Sequence, residues 1–129
     1  TPEQLGELVD FISIDVAFIS LDKVLPVATT LLKVTGSLVA LIKPQFEAGK
    51  ENVGKGGIVR DSNIHKEVLH RILQVAYDCG LYIHGLTFSP IKGMEGNIEF
   101  LGYFKKYEEG ALTINDELID AVVTEAHSL

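Results

Sequence analysis

Hydrophobic positions along the chain fall into strand-like runs and helix-like stripes. A β-branched and aromatic run predicts a first strand over 11–18, and apolar residues at helical spacing predict a helix over 21–33 with Gly36 as its C-cap. A second strand is predicted over 37–42, and its uninterrupted apolar run over 39–42 is typical of a strand covered on both faces. Because a helix separates these strands, we expect them to pair in parallel.

The second half of the chain predicts further elements of the same kind. A loop over 44–60 with four glycines leads to a helix that Asp61, Ser62 or Asn63 can cap and that ends at Gly80. The remaining predicted elements are two strands joined by a short polar connection and a final helix, over 81–88, 98–104 and 113–127. We expect the last two strands to be antiparallel, which gives an α/β fold with a mixed sheet. The first strand is expected to be an exposed edge, as in the second half of a larger sheet.

Composition narrows the class of protein. The chain has 129 residues, enough for one domain, and no apolar run approaches the ~20 residues of a membrane span. The single cysteine, Cys79, excludes an internal disulfide and suggests a reducing, cytoplasmic location. The net charge is −7. The segment from Lys43 to Arg71 nevertheless contains six basic and four acidic residues, which favours a local attraction for phosphate.

Three charged residues lie at or beside predicted strands. Lys43 precedes Pro44, which ends the second strand, so its ammonium is presented at the carboxyl edge of the sheet, where α/β proteins bind ligands. Asp15 lies near the end of the first strand. Glu99 lies on the last strand and is expected to be a partly buried carboxylate that needs a cationic partner. Spacing alone leaves a structural ion cluster and a catalytic group equally open.

Other motifs are less specific. Residues 49–55 match the phosphate-loop spacing G-x-x-x-x-G-K, but Gly56 follows where a magnesium-binding Ser or Thr is needed. Asp15 with Lys43 and Pro44 has some features of a phosphoacceptor receiver domain, although only one helix separates them. Cys79 fits a small core residue. The histidines have no metal-ligand spacing, so no metal site is predicted from His65, His70, His84 and His127.

Four segments carry a resemblance to a known family, namely 15–21, 41–49, 53–61 and 89–101. They resemble the TlyA family. Its members carry the name haemolysin, but they are similar to ribosomal RNA 2′-O-methyltransferases with an FtsJ-type domain. The resemblance covers about 9–104. It implies a Rossmann-like methyltransferase sheet with helices on both faces. It also implies methyl transfer from S-adenosylmethionine to a ribose 2′-hydroxyl, of cytidine in ribosomal RNA.

The resemblance assigns roles to individual residues. The family's catalytic set is lysine, aspartate, lysine and glutamate, and its last three members fall on Asp15, Lys43 and Glu99. Lys43 would be the base that takes the hydroxyl proton, and Glu99 would hold the lysines in place. Asp15 would orient Lys43 and, with Val16 and Phe18, border the methyl donor. Phosphate contacts would come from Lys50, Lys55, Arg60 and Lys92.

Departures from the family pattern limit what this chain is expected to do. The first lysine, the glycine-rich cofactor loop and an S4-like RNA-binding domain are expected before Thr1 and are absent, while Ala17 and Met94 replace the expected Ser and Pro. The resemblance therefore implies that 1–129 is the carboxyl-terminal portion of an FtsJ-type methyltransferase domain and is inactive alone. The alternatives are a non-catalytic RNA-binding fragment and a membrane-active haemolysin. The latter needs a spanning or cationic amphipathic segment, and the last helix is acidic.

Overall fold

The computed structural model describes residues 7–16, 19–49, 53–54, 57–89 and 96–128. These ranges contain four strands and four helices, none of which has the length and apolarity that crossing a bilayer requires. In chain order the elements are β1 (Val9–Ile14), α1 (Leu21–Leu31), β2 (Leu32–Ile42), α2 (Pro44–Glu47), α3 (Ser62–Asp78), β3 (Tyr82–Phe88), β4 (Phe100–Lys105) and α4 (Asp116–His127).

The strands form one mixed sheet in the order β1-β2-β4-β3. β1 pairs in parallel with β2, whereas β4 runs antiparallel to both β2 and β3. The predicted parallel first pair, the antiparallel last pair and the α/β class are therefore confirmed. The carboxyl ends of β1, β2 and β3 lie at the same edge of the sheet as the start of β4.

The core lies on one face of the sheet. Leu38, Ala40, Ile42, Phe100 and Phe104 are fully buried against the helices. The alternate side chains of the same strands are only partly covered, among them Val39, Leu41, Leu101 and Tyr103. The connections from β1 to β2 and from β2 to β3 both step in one direction, so right-handed crossovers place α1 and α3 on the same side. The described helices thus cover one face of the sheet, whereas we expected helices on both faces.

β2 begins directly after α1, without a loop. The helix ends because Leu32 is already extended, with φ −94° and ψ 135°, and pairs with Val9 of β1. The prediction that Gly36 caps the helix is therefore wrong, since Gly36 lies inside β2. A Cβ there would lie 2.9 Å from the backbone oxygen of Asp10, so glycine permits the close approach of β1.

Other element boundaries agree with the sequence pattern in part. Asp61, one of the three candidate caps, caps α3 by accepting a hydrogen bond from the backbone N–H of Asn63 at 2.8 Å. Gly80 follows the end of α3 with a φ of +87°, a conformation that favours glycine. β1 ends at Ile14, earlier than predicted, and pairs among the described strands only with β2, which leaves Phe11 57% exposed at the sheet edge.

Candidate functional site

Topology brings the three predicted catalytic residues to one edge of the sheet. Asp15 directly follows β1, Lys43 directly follows β2, and Glu99 directly precedes β4. Because Ile42 is paired with Phe100 across the sheet, Lys43 and Glu99 are the next positions beyond that pair. The site therefore forms where parallel strands end and the antiparallel strand begins.

Lys43 and Asp15 form a close ion pair, with 2.5 Å between Nζ and Oδ1. The Lys43 side chain is only 16% exposed, whereas Asp15 is 62% exposed. Lys43 is extended at φ −111° and ψ 98°, which continues β2 and directs its side chain away from the buried face. Its ammonium also lies 6.0 Å from the centroid of the Phe46 ring. A largely desolvated amine thus meets an acid that solvent and ligands can reach.

Glu99 is buried, with 6% exposure, but it is not joined to Lys43. Among the described residues its side-chain partner is Gln45, whose Nε2 donates to Oε2 at 2.8 Å. The sequence predicted a buried carboxylate with a cationic partner, and the described part of the structure supplies an amide donor instead. The site consists of an ion pair beside a separate buried carboxylate rather than one three-residue cluster.

Gln45 carries an acceptor without a partner inside this site. A carboxylate can only accept hydrogen bonds, so the amide must direct its NH₂ group towards Glu99. The Oε1 atom is then buried and has no hydrogen-bond partner among the described residues. A buried acceptor left unpaired costs about 1–3 kcal/mol, which a donor from a ligand or from another part of the protein would offset.

A family model named FtsJ-like methyltransferase matches residues 1–106 of this sequence. The chain belongs to this family. The matched range includes every residue of the site and the whole sheet, and it ends before α4.

Named relatives support the same assignment. YqxC of Bacillus subtilis, whose name gives rRNA methyltransferase as a provisional activity, is 49% identical over 92% of this chain and 43% of its own length. The Mycobacterium tuberculosis protein named 16S/23S rRNA (cytidine-2′-O)-methyltransferase TlyA is 36% identical over 95% of this chain and 45% of its own length. A solved Streptococcus thermophilus structure, titled provisionally as a hemolysin, superimposes with a TM-score of 0.87 and 45% identity over 98% of this chain and 45% of that chain. The chain thus spans less than half the length of these relatives.

The residues expected to bind cofactor and RNA are only partly described. Val16 is half-buried and packs against the core beside Asp15. Arg60 is exposed on the loop before α3. The other predicted contacts lie outside the described residues, namely Phe18, Lys50, Lys55 and Lys92.

Asn97 anchors the loop that carries Arg60. Its Oδ1 accepts from the backbone N–H of Val59 at 2.9 Å, and its Nδ2 donates to the carbonyl of Gly57 at 2.9 Å. Val59 is 2% exposed, so this end of the loop is fixed in the core. The predicted RNA-binding loop and the segment that leads into β4 are thereby held together; Glu99 belongs to this segment, one residue before the strand on which it was predicted to lie.

Sequence patterns did not reveal a pair of histidines between α3 and α4, in which His65 is fully buried and His127 is exposed. Nε2 of His65 lies 3.0 Å from the Val59 carbonyl, which can only accept, so His65 donates there and its Nδ1 accepts from Nε2 of His127 at 2.7 Å. Burial, followed by the repulsion of His127, lowers the pKa of His65 to about 4, against smaller raising effects of the Val59 hydrogen bond and Asp61. The two histidines are 62 residues apart in sequence, so periodicity could not connect them.

A cavity of about 350 Å³ lies elsewhere in the fold. It opens at the amino end of β3, where Tyr77, Tyr82, Ile83 and Leu112 line it. This is the opposite edge of the sheet from Lys43 and Asp15, so the cavity is separate from the candidate site. In the described residues no group of three or more His, Cys, Asp or Glu side chains could hold a metal ion.

Proposed function

We propose that this chain is the carboxyl-terminal portion of an FtsJ-type methyltransferase domain. The intact protein would transfer a methyl group from S-adenosylmethionine to the ribose 2′-hydroxyl of cytidine in ribosomal RNA, and so act in the cytoplasm. The observation that carries this proposal is the desolvated Lys43 ammonium paired at 2.5 Å with Asp15 at the carboxyl edge of the sheet. The family match and the TlyA relative support the reaction class.

Lys43 takes the proton of the 2′-hydroxyl in this proposal. The amine accepts the proton in its neutral form, and Asp15 stabilises the ammonium that results. Lys43 must first lose the proton that it carries in the ion pair, and a second lysine from an upstream segment, as the resemblance implies, would favour that loss. Holding the hydroxyl in line with the methyl group supplies much of the rate.

Residues at this edge suit one side of the methyl donor. S-adenosylmethionine, when bound, supplies an electrophilic methyl group on a cationic sulfur. The exposed Asp15 carboxylate can accept from its amine or hydroxyl groups, and the half-buried Val16 offers an apolar contact. Glu99 has a buried carboxylate, which would hold an upstream lysine.

We propose that this chain alone does not bind the methyl donor. The single pairing of β1 among the described strands and the half-covered outer face, with Val39, Leu41 and Tyr103, suggest that a further segment completes the sheet. Isothermal titration of this chain with S-adenosylmethionine should give no heat of binding. Measurable binding would contradict the proposal that the pocket needs upstream residues.

Lys43→Ala in the full-length protein tests the catalytic assignment. Transfer of tritiated methyl groups to ribosomal RNA should fall by about 10²–10⁴-fold, the usual contribution of a general base. Lys33→Ala is the matched control, because Lys33 of β2 also pairs with an aspartate of β1, Asp10 at 3.2 Å, but at the opposite ends of these strands from the site. A folded Lys43→Ala protein with near-normal transfer would refute the assignment.

Arg60 and the lysines of the neighbouring loops are proposed to contact RNA phosphates. A cation that contacts a phosphate releases counterions, so removing one should reduce the slope of log affinity against log salt by about 1. Arg60→Ala should weaken binding of the full-length protein to ribosomal RNA in this way. An unchanged salt slope would exclude Arg60 from the interface.

Membrane lysis is the second candidate, because relatives such as Hemolysin A of Brachyspira hyodysenteriae, 43% identical over 76% of this chain and 41% of its own length, carry that name. Purified full-length protein should then release dye from liposomes at low concentration. Leakage without RNA methylation would reverse the order of the two proposals.

A further inference from the structure

Glu47 lies almost fully buried where three segments meet, with 3% of its side chain exposed. Its Oε1 accepts from the hydroxyl of Ser20 at 2.6 Å and from Nη2 of Arg71 at 3.1 Å. Its Oε2 accepts from the backbone N–H of Leu21 at 2.9 Å. Both carboxylate oxygens therefore have donors, and the charge is balanced by the Arg71 guanidinium and the amino end of α1.

These contacts connect the two segments that carry the ion pair. Ser20 is the N-cap of α1 and ends the connection that begins with Asp15. Glu47 is the last residue of α2, the single helical turn that follows Lys43. Glu47 therefore ties together two connections, one starting at each member of the pair.

Lys43 belongs to the same turn as Glu47. The backbone oxygen of Lys43 accepts from the N–H groups of Phe46 at 2.9 Å and of Glu47 at 3.2 Å. Arg71 Nη2 also donates to the backbone oxygen of Glu47 at 2.5 Å, which fixes the end of this turn on α3. A displacement of Glu47 is therefore transmitted to the backbone of Lys43.

We propose that Glu47 is a positioning residue that sets the distance between Asp15 and Lys43. This inference rests on the proposed function, in which Lys43 takes the hydroxyl proton and Asp15 stabilises the resulting charge. Glu47 acts by positioning the Asp15–Lys43 pair and does not contact the substrate. Misplacement of a catalytic group by about 1 Å can cost roughly 10²-fold in rate, so small shifts at Glu47 have large effects.

Glu47→Gln is the conservative test because it keeps the size of the side chain. The amide has one acceptor oxygen and one NH₂ group, so at least one donor among Ser20, Leu21 and Arg71 then faces another donor. In the full-length protein, kcat for methyl transfer should fall by about 10–100-fold, while KM for S-adenosylmethionine and for RNA changes less than about threefold. Asp120→Asn is the matched control, since it removes a carboxylate paired with Lys66 on the remote surface between α3 and α4.

A double mutant separates positioning from a general loss of structure. With Lys43→Ala already present, Glu47→Gln should cause no further loss of kcat, because the residue through which it acts is gone. All rates are measured at a temperature where circular dichroism shows the variants folded. Wild-type kcat in the single variant, or the same fractional loss in both backgrounds, would overturn the inference.

The activities of the variants distinguish an error in the proposed function from an error in the Glu47 inference. If Lys43→Ala transfers methyl groups normally, the catalytic assignment falls, and the Glu47 inference falls with it. If Lys43→Ala is impaired but Glu47→Gln is not, only the Glu47 inference falls. Should Glu47→Gln fail to fold, Ser20→Ala removes one contact of the same carboxylate and is judged by the same criteria.

Discussion

The buried side chain of His65 predicts that this fold loses stability in mild acid. His65 has no exposed surface, and its pKa is lowered from 6.5 to about 4, so the unfolded chain binds a proton at a higher pH than the folded chain. His65 therefore destabilises the fold progressively as the pH falls from 6.5 to about 4. Between pH 8 and pH 5 the linkage amounts to about 2 kcal/mol, and it approaches about 3 kcal/mol in stronger acid.

Urea unfolding of this chain at pH 8 and pH 5 measures the effect. His65→Phe keeps a ring against Phe100, whose centroid is 5.6 Å away, but removes the titrating group. The variant should be less stable at pH 8, since the Val59 carbonyl and the His127 N–H lose their partners. Its loss between pH 8 and pH 5 should nevertheless be about 2 kcal/mol smaller than that of the wild type.

A second histidine provides the control. His84 also donates to a backbone carbonyl, that of Tyr107 at 2.9 Å, and contacts an aromatic ring, but it is only half-buried. His84→Phe should retain the acid-induced loss that His65 causes. Equal acid-induced losses in the wild type and His65→Phe would refute the reasoning, because the destabilisation would then come from other groups.

Two further substitutions test the packing around the site. Gln45→Leu leaves the buried Glu99 carboxylate without its described donor, which costs about 1–3 kcal/mol, but it also removes the unpaired Oε1 of Gln45, which offsets part of that cost. We expect a net loss of about 1 kcal/mol in the free energy of unfolding of this chain at neutral pH, measured by urea titration, and a variant more stable than the wild type would contradict the stabilising role of this hydrogen bond. Gly36→Ala places a Cβ 2.9 Å from the backbone oxygen of Asp10 and should cost about 1–3 kcal/mol in the same assay. Gly85→Ala is its control, because a Cβ there has ordinary contacts from 3.5 Å, and equal losses in the two variants would contradict the close-approach argument.

The sequence pattern predicted the order and type of the main elements because each depends on local periodicity. The pattern placed Asp15, Lys43 and Glu99 at or beside strands, and the strand order brings the corresponding ends of those three strands to one edge of the sheet. It failed at Gly36, where the pairing of Leu32 with Val9 overrides the usual preference of glycine for a helix end. It also missed α2, because four residues are too few to show a helical period.

The contacts within the site could not be predicted for a different reason. Glu47 and Arg71 are 24 residues apart, and Gln45 and Glu99 are 54 residues apart, so only the tertiary fold brings them together. The resemblance supplied residue roles but not these supporting contacts. The resemblance thus predicted which groups react, whereas the structure was needed to find the residues that hold them.

The outer face of the sheet and the candidate site depend on the same alternation of side chains. Lys43 continues the row of Val39 and Leu41, which lies opposite the buried row of Ala40 and Ile42. Asp15 likewise follows the buried Ile14 on the exposed side of β1. Any segment that covers the outer face must therefore also approach the Asp15–Lys43 pair. In the complete domain that we propose, covering this face would therefore also desolvate the 62% exposed Asp15 and strengthen its attraction for the ammonium of Lys43.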